Sequence, residues 1–150
     1  FINSKLVLKK KVFWYDYLML KDFKYETKVY YEDTDAGGVV YYANYLKFLE
    51  RARTEMICSF KLNNKILLND HKTLIIVKSI RIEYKKPAEL EDKLQIYSSI
   101  KSITKASFTM CQKIKRNDEI VLDADIHLVT VNPEGKPIKI PQVLEKSLKN

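Results

Sequence analysis

Glycine is scarce in this chain: three residues in 150, two of them adjacent at Gly37-Gly38. Proline is nearly as rare, at four. A sequence so poor in chain breakers is neither a flexible linker nor a collagen-like repeat, and long regular elements are expected. Its two cysteines, Cys58 and Cys111, lie far apart without metal-type spacing. They exclude a disulfide-stapled scaffold and read as buried thiols in a reducing compartment, the cytoplasm. The two histidines, His71 and His127, form no ligand motif, so no metal is predicted. No apolar run is long enough for a bilayer span, so no transmembrane segment is expected. Arginine-rich tracts and nucleic-acid motifs are missing as well. The net charge of +8 comes from scattered lysines, so nucleic acid is not predicted as a partner. The charge reads as a field that attracts an anionic substrate.

What is present fits one domain with a real core: 46% of residues are hydrophobic and 31% charged. Residues 1–22 differ from the rest and read as an N-terminal extension, not native or disordered, before a domain spanning 23–150. Lys9-Lys10-Lys11 precedes the apolar run Val12–Leu20, which Asp16 interrupts, and no small-residue cleavage site follows. Translation starting at Met19 is the simpler expectation.

Lys24 to Tyr31 reads as a strand with Tyr25, Thr27, Val29 and Tyr31 on one face. A helix is predicted from Tyr42 to Phe60, with Tyr42, Tyr45, Leu46, Leu49, Ala52, Met56 and Ile57 as its buried stripe. Arg51 and Glu55 are spaced for an ion pair on another face. Asn63-Asn64 marks its exit, and Lys65–Lys72 reads as a short helical turn or an irregular crossing. Four strand-like runs follow. Leu74, Ile76, Ile80, Ile82 and Tyr84 alternate in the first, which ends at Pro87; Leu94, Ile96, Ser98 and Ile100 alternate in the second. Ala106, Phe108, Met110 and Ile114 mark the third, and Leu122, Ala124, Ile126 and Leu128 the fourth, with a hairpin turn at Asn117-Asp118. Pro133–Pro137 ends the sheet and Val143–Lys149 reads as a terminal helix. One long helix followed by antiparallel strands is an α+β pattern.

The most informative stretch is Tyr30–Thr54. An acidic strand end, Tyr31-Glu32-Asp33-Thr34-Asp35, meets the glycine pair, and the long helix starts at once. Two glycines allow a sharp corner and close approach of a ligand to the main chain. An acid beside a helix N-terminus suits carbonyl chemistry, because free N–H groups there can stabilise an oxyanion. The run Asp33-Thr34-Asp35-Ala36-Gly37-Gly38-Val39-Val40-Tyr41 resembles the signature of hotdog-fold acyl-CoA thioesterases, in the 4-hydroxybenzoyl-CoA thioesterase and Tol-Pal-associated thioesterase family. The resemblance extends over roughly residues 24–141 and implies a curved antiparallel sheet wrapped around the long helix. It also implies hydrolysis of a short-chain or aromatic acyl-CoA without a cofactor, CoA or acyl carrier protein as the donor, and a homotetramer built as a dimer of dimers.

In that family the catalytic carboxylate lies seven residues before the aromatic or histidine at the helix entry, which is Asp35 before Tyr42 here. Asp33, two residues away, would share its face on a continuing strand. It reads as structural, accepting backbone N–H bonds in the loop. Asp35 would act as nucleophile or as general base on water, with N–H groups near Tyr42 polarising the carbonyl. Asn44 could cap those donors if the helix starts late. Tyr42 departs from the Tol-Pal-associated branch, where histidine is usual, and matches the aromatic-benzoyl branch. Gly37 and Gly38 would lie against the substrate, and Lys85 and Lys86 are candidates for the CoA phosphates, with Lys113, Lys115 and Arg116 as equal alternatives. Asp123, Asp125 and His127 share one strand face; with no fourth ligand evident they read as a polar subunit contact rather than a metal site. A hotdog dehydratase would carry a histidine on the loop before the helix, and this loop has none. A non-catalytic protein binding acyl carriers or a membrane-associated complex is the rival of another class.

Overall fold

The computed structural model describes residues 22–150. The expectations for residues 1–21, the extension and the start at Met19, lie outside the described residues. The described chain forms five strands and three α-helices. They are β1 (Phe23–Lys28), α1 (Tyr45–Ser59), α2 (Asn64–His71), β2 (Leu74–Tyr84), β3 (Lys93–Ile103), β4 (Ser107–Arg116), β5 (Glu119–Val131) and α3 (Gln142–Lys149). The strands make one antiparallel sheet in the order β1-β3-β4-β5-β2. Helix α1 packs on its concave side, the hotdog arrangement that the resemblance implied.

The core follows from alternation. Leu94, Ile96, Phe108, Met110, Ile114, Leu122, Ala124, Ile126 and Leu128 all turn inward and are buried, as the pattern predicts. Helix α1 meets them with Tyr45, Phe48, Leu49, Ala52, Met56 and Ile57. The predicted stripe is therefore corrected at its N-terminal end: Phe48 is fully buried, whereas Tyr42 is 61% exposed and Leu46 is exposed too. Of these two, Tyr42 lies against Tyr84 at the end of β2 rather than over the sheet centre. Arg51 and Glu55 do not form the expected ion pair among the described residues. Glu50 instead accepts from the Thr54 hydroxyl at 2.7 Å.

Three local departures have physical causes. The first strand stops at Lys28 rather than Tyr31, because the buried Asp33 carboxylate captures the Tyr30 N–H at 2.9 Å and folds Tyr31–Asp33 into a 3-10 turn. Residues 64–71 form a true helix, since the Asn63 side chain accepts from the Ile66 N–H at 2.8 Å and satisfies one of its orphan donors. In β2 a bulge between Val77 and Ser79 flips the alternation. Ile80, Ile82 and Tyr84 oppose the inward residues Ile126, Ala124 and Leu122, but Ile76 opposes Val129 on the outer face. The expected single face from Leu74 to Tyr84 is therefore split. The Asn117-Asp118 hairpin forms, with Asn117 at φ 55°. Leu144 and Leu148 anchor α3 to the core. Both cysteines are free thiols, but Cys58 is exposed rather than buried. No helix among the described residues is long and apolar enough to cross a membrane.

Candidate active site

The loop between β1 and α1 is tied down at both ends before it offers anything to a ligand. Asp33, only 3% exposed, holds the Tyr30 N–H with its side chain. Its carbonyl receives the Tyr41 N–H at 2.9 Å and the Asn44 amide at 2.9 Å. The expectation that Asp33 accepts backbone N–H bonds in this loop is met through its side chain. The same contacts settle what Asn44 does. It occupies the N-cap position of α1, yet its side chain reaches back to the loop and makes no capping bond. The helix amides are therefore not covered by a side-chain cap.

A second brace is Ala88, which sequence reasoning missed. Its carbonyl accepts the Val40 N–H at 2.8 Å, and its own N–H donates to the buried Tyr45 hydroxyl at 3.0 Å. Val39 bridges Glu89 beside it. Loop, helix entry and the segment after β2 are thus stitched together at one small residue. Its small size between two charged strand ends was the only signal for it in the sequence. Burial pushes the Tyr45 phenol up, so it stays neutral while it accepts this bond.

Within the braced loop, Asp35 is exposed. Its N–H donates to the Val39 carbonyl at 2.9 Å, its carbonyl accepts from Gly38 at 3.1 Å, and its Oδ1 accepts the Gly37 N–H at 2.8 Å. Among the described residues no other side chain holds the carboxylate. Gly38 sits at φ +77°, where a side chain would be strained, and a Cβ at Gly37 would come within 3.1 Å of Asp35 Oδ1. Both glycines are therefore explained by the shape of the turn that presents Asp35.

Tyr42 opens the helical run as the first residue of a 3-10 turn, Tyr42–Asn44, that leads into α1. Its ring lies edge-on to Tyr84 with centroids 6.5 Å apart and tilted to Tyr41 at 4.8 Å. The Tyr84 hydroxyl donates to the Tyr42 carbonyl at 3.0 Å. The neighbouring Tyr42 side chain, mainly by hydrogen bonding, pushes the Tyr41 phenol up. Val40, Tyr42, Tyr45 and Tyr84 line a shallow groove that continues onto Lys85, Lys86 and Pro87. The structure thus brings Tyr42, Lys85 and Lys86 to one groove. Lys85 is already paired with Glu83 at 2.5 Å, and Lys86 with Glu119.

Of the alternative cations, Arg116 lies beside the same groove, donating to the Pro87 carbonyl at 3.3 Å and sharing Glu119 with Lys86. Arg116 pairs with Asp92 at 2.6 Å and Glu119 at 2.8 Å, and these hydrogen bonds raise its pKa. The Lys115 ammonium lies over the Tyr97 ring, 5.3 Å from its centroid. On the outer sheet face, Asp125 is held by Lys101 at 2.6 Å and Arg81 at 3.3 Å, while His127 Nδ1 contacts the Thr109 hydroxyl at 3.1 Å.

Comparison with known proteins fits this geometry. The family model of the thioesterase-like superfamily matches residues 29–148. The chain is 37% identical over 129 residues to the acyl-CoA thioester hydrolase YbgC of Escherichia coli O6:H1, covering 85% of this chain and 96% of that one. It is 36% identical over 121 residues to the acyl-CoA thioesterase YbgC of Haemophilus influenzae, covering 80% and 89%. Among solved structures, a probable thioesterase from Bartonella henselae superposes with a TM-score of 0.78 at 32% identity, over 80% of this chain and 99% of that one. With this sheet, this central helix and these relatives, the chain belongs to the thioesterase-like superfamily as a YbgC-like hotdog protein, and it is a thioester hydrolase.

Proposed function

We propose that this protein hydrolyses acyl-CoA thioesters, of short-chain or aromatic acids, using Asp35 as the catalytic carboxylate. The supporting observation is the state of that carboxylate. One oxygen is fixed by the Gly37 N–H, and the group is exposed on a loop tied to the helix entry. An acid so oriented is preorganised without being neutralised by a cation. Two routes balance. In the first, Asp35 attacks the thioester carbon, the C–S bond breaks, the thiolate leaves, and water hydrolyses the resulting anhydride. In the second, Asp35 takes a proton from water as the water attacks the thioester carbon; the C–S bond then breaks, and the leaving thiolate takes up the proton that Asp35 gives back. In both, N–H groups at the start of the helical run around Tyr42 receive the developing oxyanion. Water is the only co-reactant, and no cofactor takes part.

The groove beyond Tyr42 suits the CoA arm. Lys85 and Lys86 would exchange their exposed Glu83 and Glu119 partners for phosphates, a small cost because such surface pairs are worth little. The donor is CoA in this reading, in the cytoplasm; acyl carrier protein is the alternative to assay beside it.

The sheet edges support assembly into a homo-oligomer, read here as a dimer of dimers. The β1 edge is only six residues long, with Lys24, Glu26 and Lys28 exposed on it. The β2 edge is eleven residues long and exposes Ile76, Val77, Ile80 and Tyr84. A long apolar edge invites a further strand, and a second copy supplies one.

The test is thiol release from a panel of aliphatic and aromatic acyl-CoAs by wild type and Asp35→Asn. Turnover by wild type and its loss in the variant is the expected result. A wild type that binds acyl-CoA without releasing thiol would favour the carrier-binding rival.

A further inference from the structure

Tyr84 is the last residue of β2, and its ring stands against the helix entry. It lies edge-on to Tyr42 and tilts against the buried Tyr45, with centroids 6.5 and 5.7 Å apart. Its hydroxyl crosses to the main chain and donates to the Tyr42 carbonyl at 3.0 Å. The peptide that it touches is not part of the regular helix. Helix α1 begins at Tyr45, and Tyr42–Asn44 form a 3-10 turn, whose internal hydrogen bonds are poorer in geometry. Such a turn depends on what grips it from outside. On the loop side, the Asp33 carbonyl receives the Tyr41 N–H and the Asn44 amide. On the strand side, Tyr84 holds the Tyr42 carbonyl.

A trans peptide is planar, so its C=O and its N–H point in opposite directions. A bond that fixes the Tyr42 carbonyl therefore fixes the Ala43 N–H as well. Neither that N–H nor the Tyr42 N–H has an acceptor among the described residues, as expected for the first donors of a helical run. We propose that Tyr84 is a positioning residue for thioester hydrolysis: its hydroxyl holds the Tyr42–Ala43 peptide so that the Ala43 N–H is ready for the developing oxyanion. The inference rests on the reading, given above, that N–H groups at the helix entry receive that oxyanion. Two effects follow from the one bond. A donor already oriented needs no reorganisation as charge develops. A hydrogen bond to the carbonyl also polarises the peptide and makes its N–H a stronger donor.

Tyr84→Phe keeps the ring and deletes the hydroxyl. The substrate is hexanoyl-CoA or benzoyl-CoA, whichever the wild type turns over faster. The variant's kcat should fall about tenfold, the weight of one hydrogen bond, with KM within roughly twofold of wild type. Its melting temperature should stay close to wild type, because the hydroxyl lies at an exposed edge. A second measurement reads the amide itself. The probe is the ketone analogue of the same acyl-CoA, with a methylene in place of the sulfur, which cannot be hydrolysed. In isotope-edited infrared spectra its carbonyl stretch should move to lower frequency on binding the wild type, and by less on binding Tyr84→Phe. An unchanged kcat would overturn the proposal, as would a rise in KM alone. Equal carbonyl shifts in the two proteins would make Tyr84 a packing residue and overturn it too, leaving the oxyanion role of the helix entry intact. A bound analogue whose stretch does not move even in the wild type would remove that role, and the proposal with it.

Discussion

Two aspartates two positions apart end up in opposite situations. Asp33 is buried and takes the Tyr30 N–H, while Asp35 is exposed and held by one glycine amide. Asp35→Asn should lower kcat by at least about a hundredfold, because the amide is neither base nor nucleophile. Its melting temperature should stay close to wild type, because the amide oxygen can still accept from Gly37. A variant keeping more than a few per cent of activity would remove Asp35 from the chemistry. Tyr42→Phe tests whether the phenol or the backbone donor matters. The helix amide survives the change, so a loss within about tenfold in kcat/KM is expected. A loss as deep as that of Asp35→Asn would make the hydroxyl a participant. The signature around the glycine pair singled out Asp35 and Tyr42 as candidates, and the structure places the first on the turn and the second at the start of the helical run. Asp33 was half legible: its role was foreseen, but not that its side chain would end the strand three residues early. Nor could the sequence show Ala88, because a small residue announces nothing until its neighbours are placed.

Strand β4 shows at the scale of an element what alternation can and cannot reveal. Phe108, Met110 and Ile114 face inward as the period-two pattern requires, and the gap at 112 is glutamine. A lone amide on an apolar face signals a buried polar network, and Gln112 indeed bonds Leu49, Ser98 and Arg53. Gln112→Leu should cost about 1–3 kcal/mol, since it leaves the buried Ser98 hydroxyl and the Arg53 guanidinium without their partner, while the Leu49 carbonyl keeps its helical bond. Chemical denaturation measures it, and a change below about 0.5 kcal/mol would show that water replaces the network. The β2 bulge is the opposite case. Nothing in Val77-Lys78-Ser79 marks an extra residue, so the sequence pattern placed Ile76 on the wrong face. Bulges depend on the partner strand, and that partner lies more than forty residues away.

Across the molecule, the folded state depresses the pKa of several carboxylates. Asp125 is held down mainly by the Lys101 hydrogen bond, and Glu119 by Lys86 and Arg116. For such groups the stabilisation is complete above the unfolded carboxylate value and is lost as pH falls through the folded one. Stability should therefore decline on acidification below about pH 4. Asp125→Asn should flatten part of that decline when melting temperature is followed from neutral pH downwards. An unchanged slope would mean that Lys101 and Arg81 hold Asp125 only loosely in solution.

The two edges of the sheet lead to a prediction about assembly. Charged side chains along an edge discourage pairing, and the short β1 edge carries them. The β2 edge carries Lys78 and Arg81 as well, yet Ile76, Val77 and Ile80 leave apolar surface between them. The exposed Tyr42 lies against Tyr84 of β2, so a copy docking on that end of β2 would also cover the helix entry beside the candidate site. Ile80→Lys adds a third cation to the strand, in the middle of the apolar surface that a docking copy would bury. Light scattering should then report a particle near the chain mass of 17.7 kDa, against a multiple of it for wild type. Circular dichroism should change little, because Ile80 is already more than a third exposed and contributes little to the core. If the groove is completed by the second copy, kcat/KM should fall in step with the loss of the larger particle. A monomeric variant with full activity would show that one chain holds a complete site. An Ile80→Lys protein of unchanged mass would move the interface away from β2.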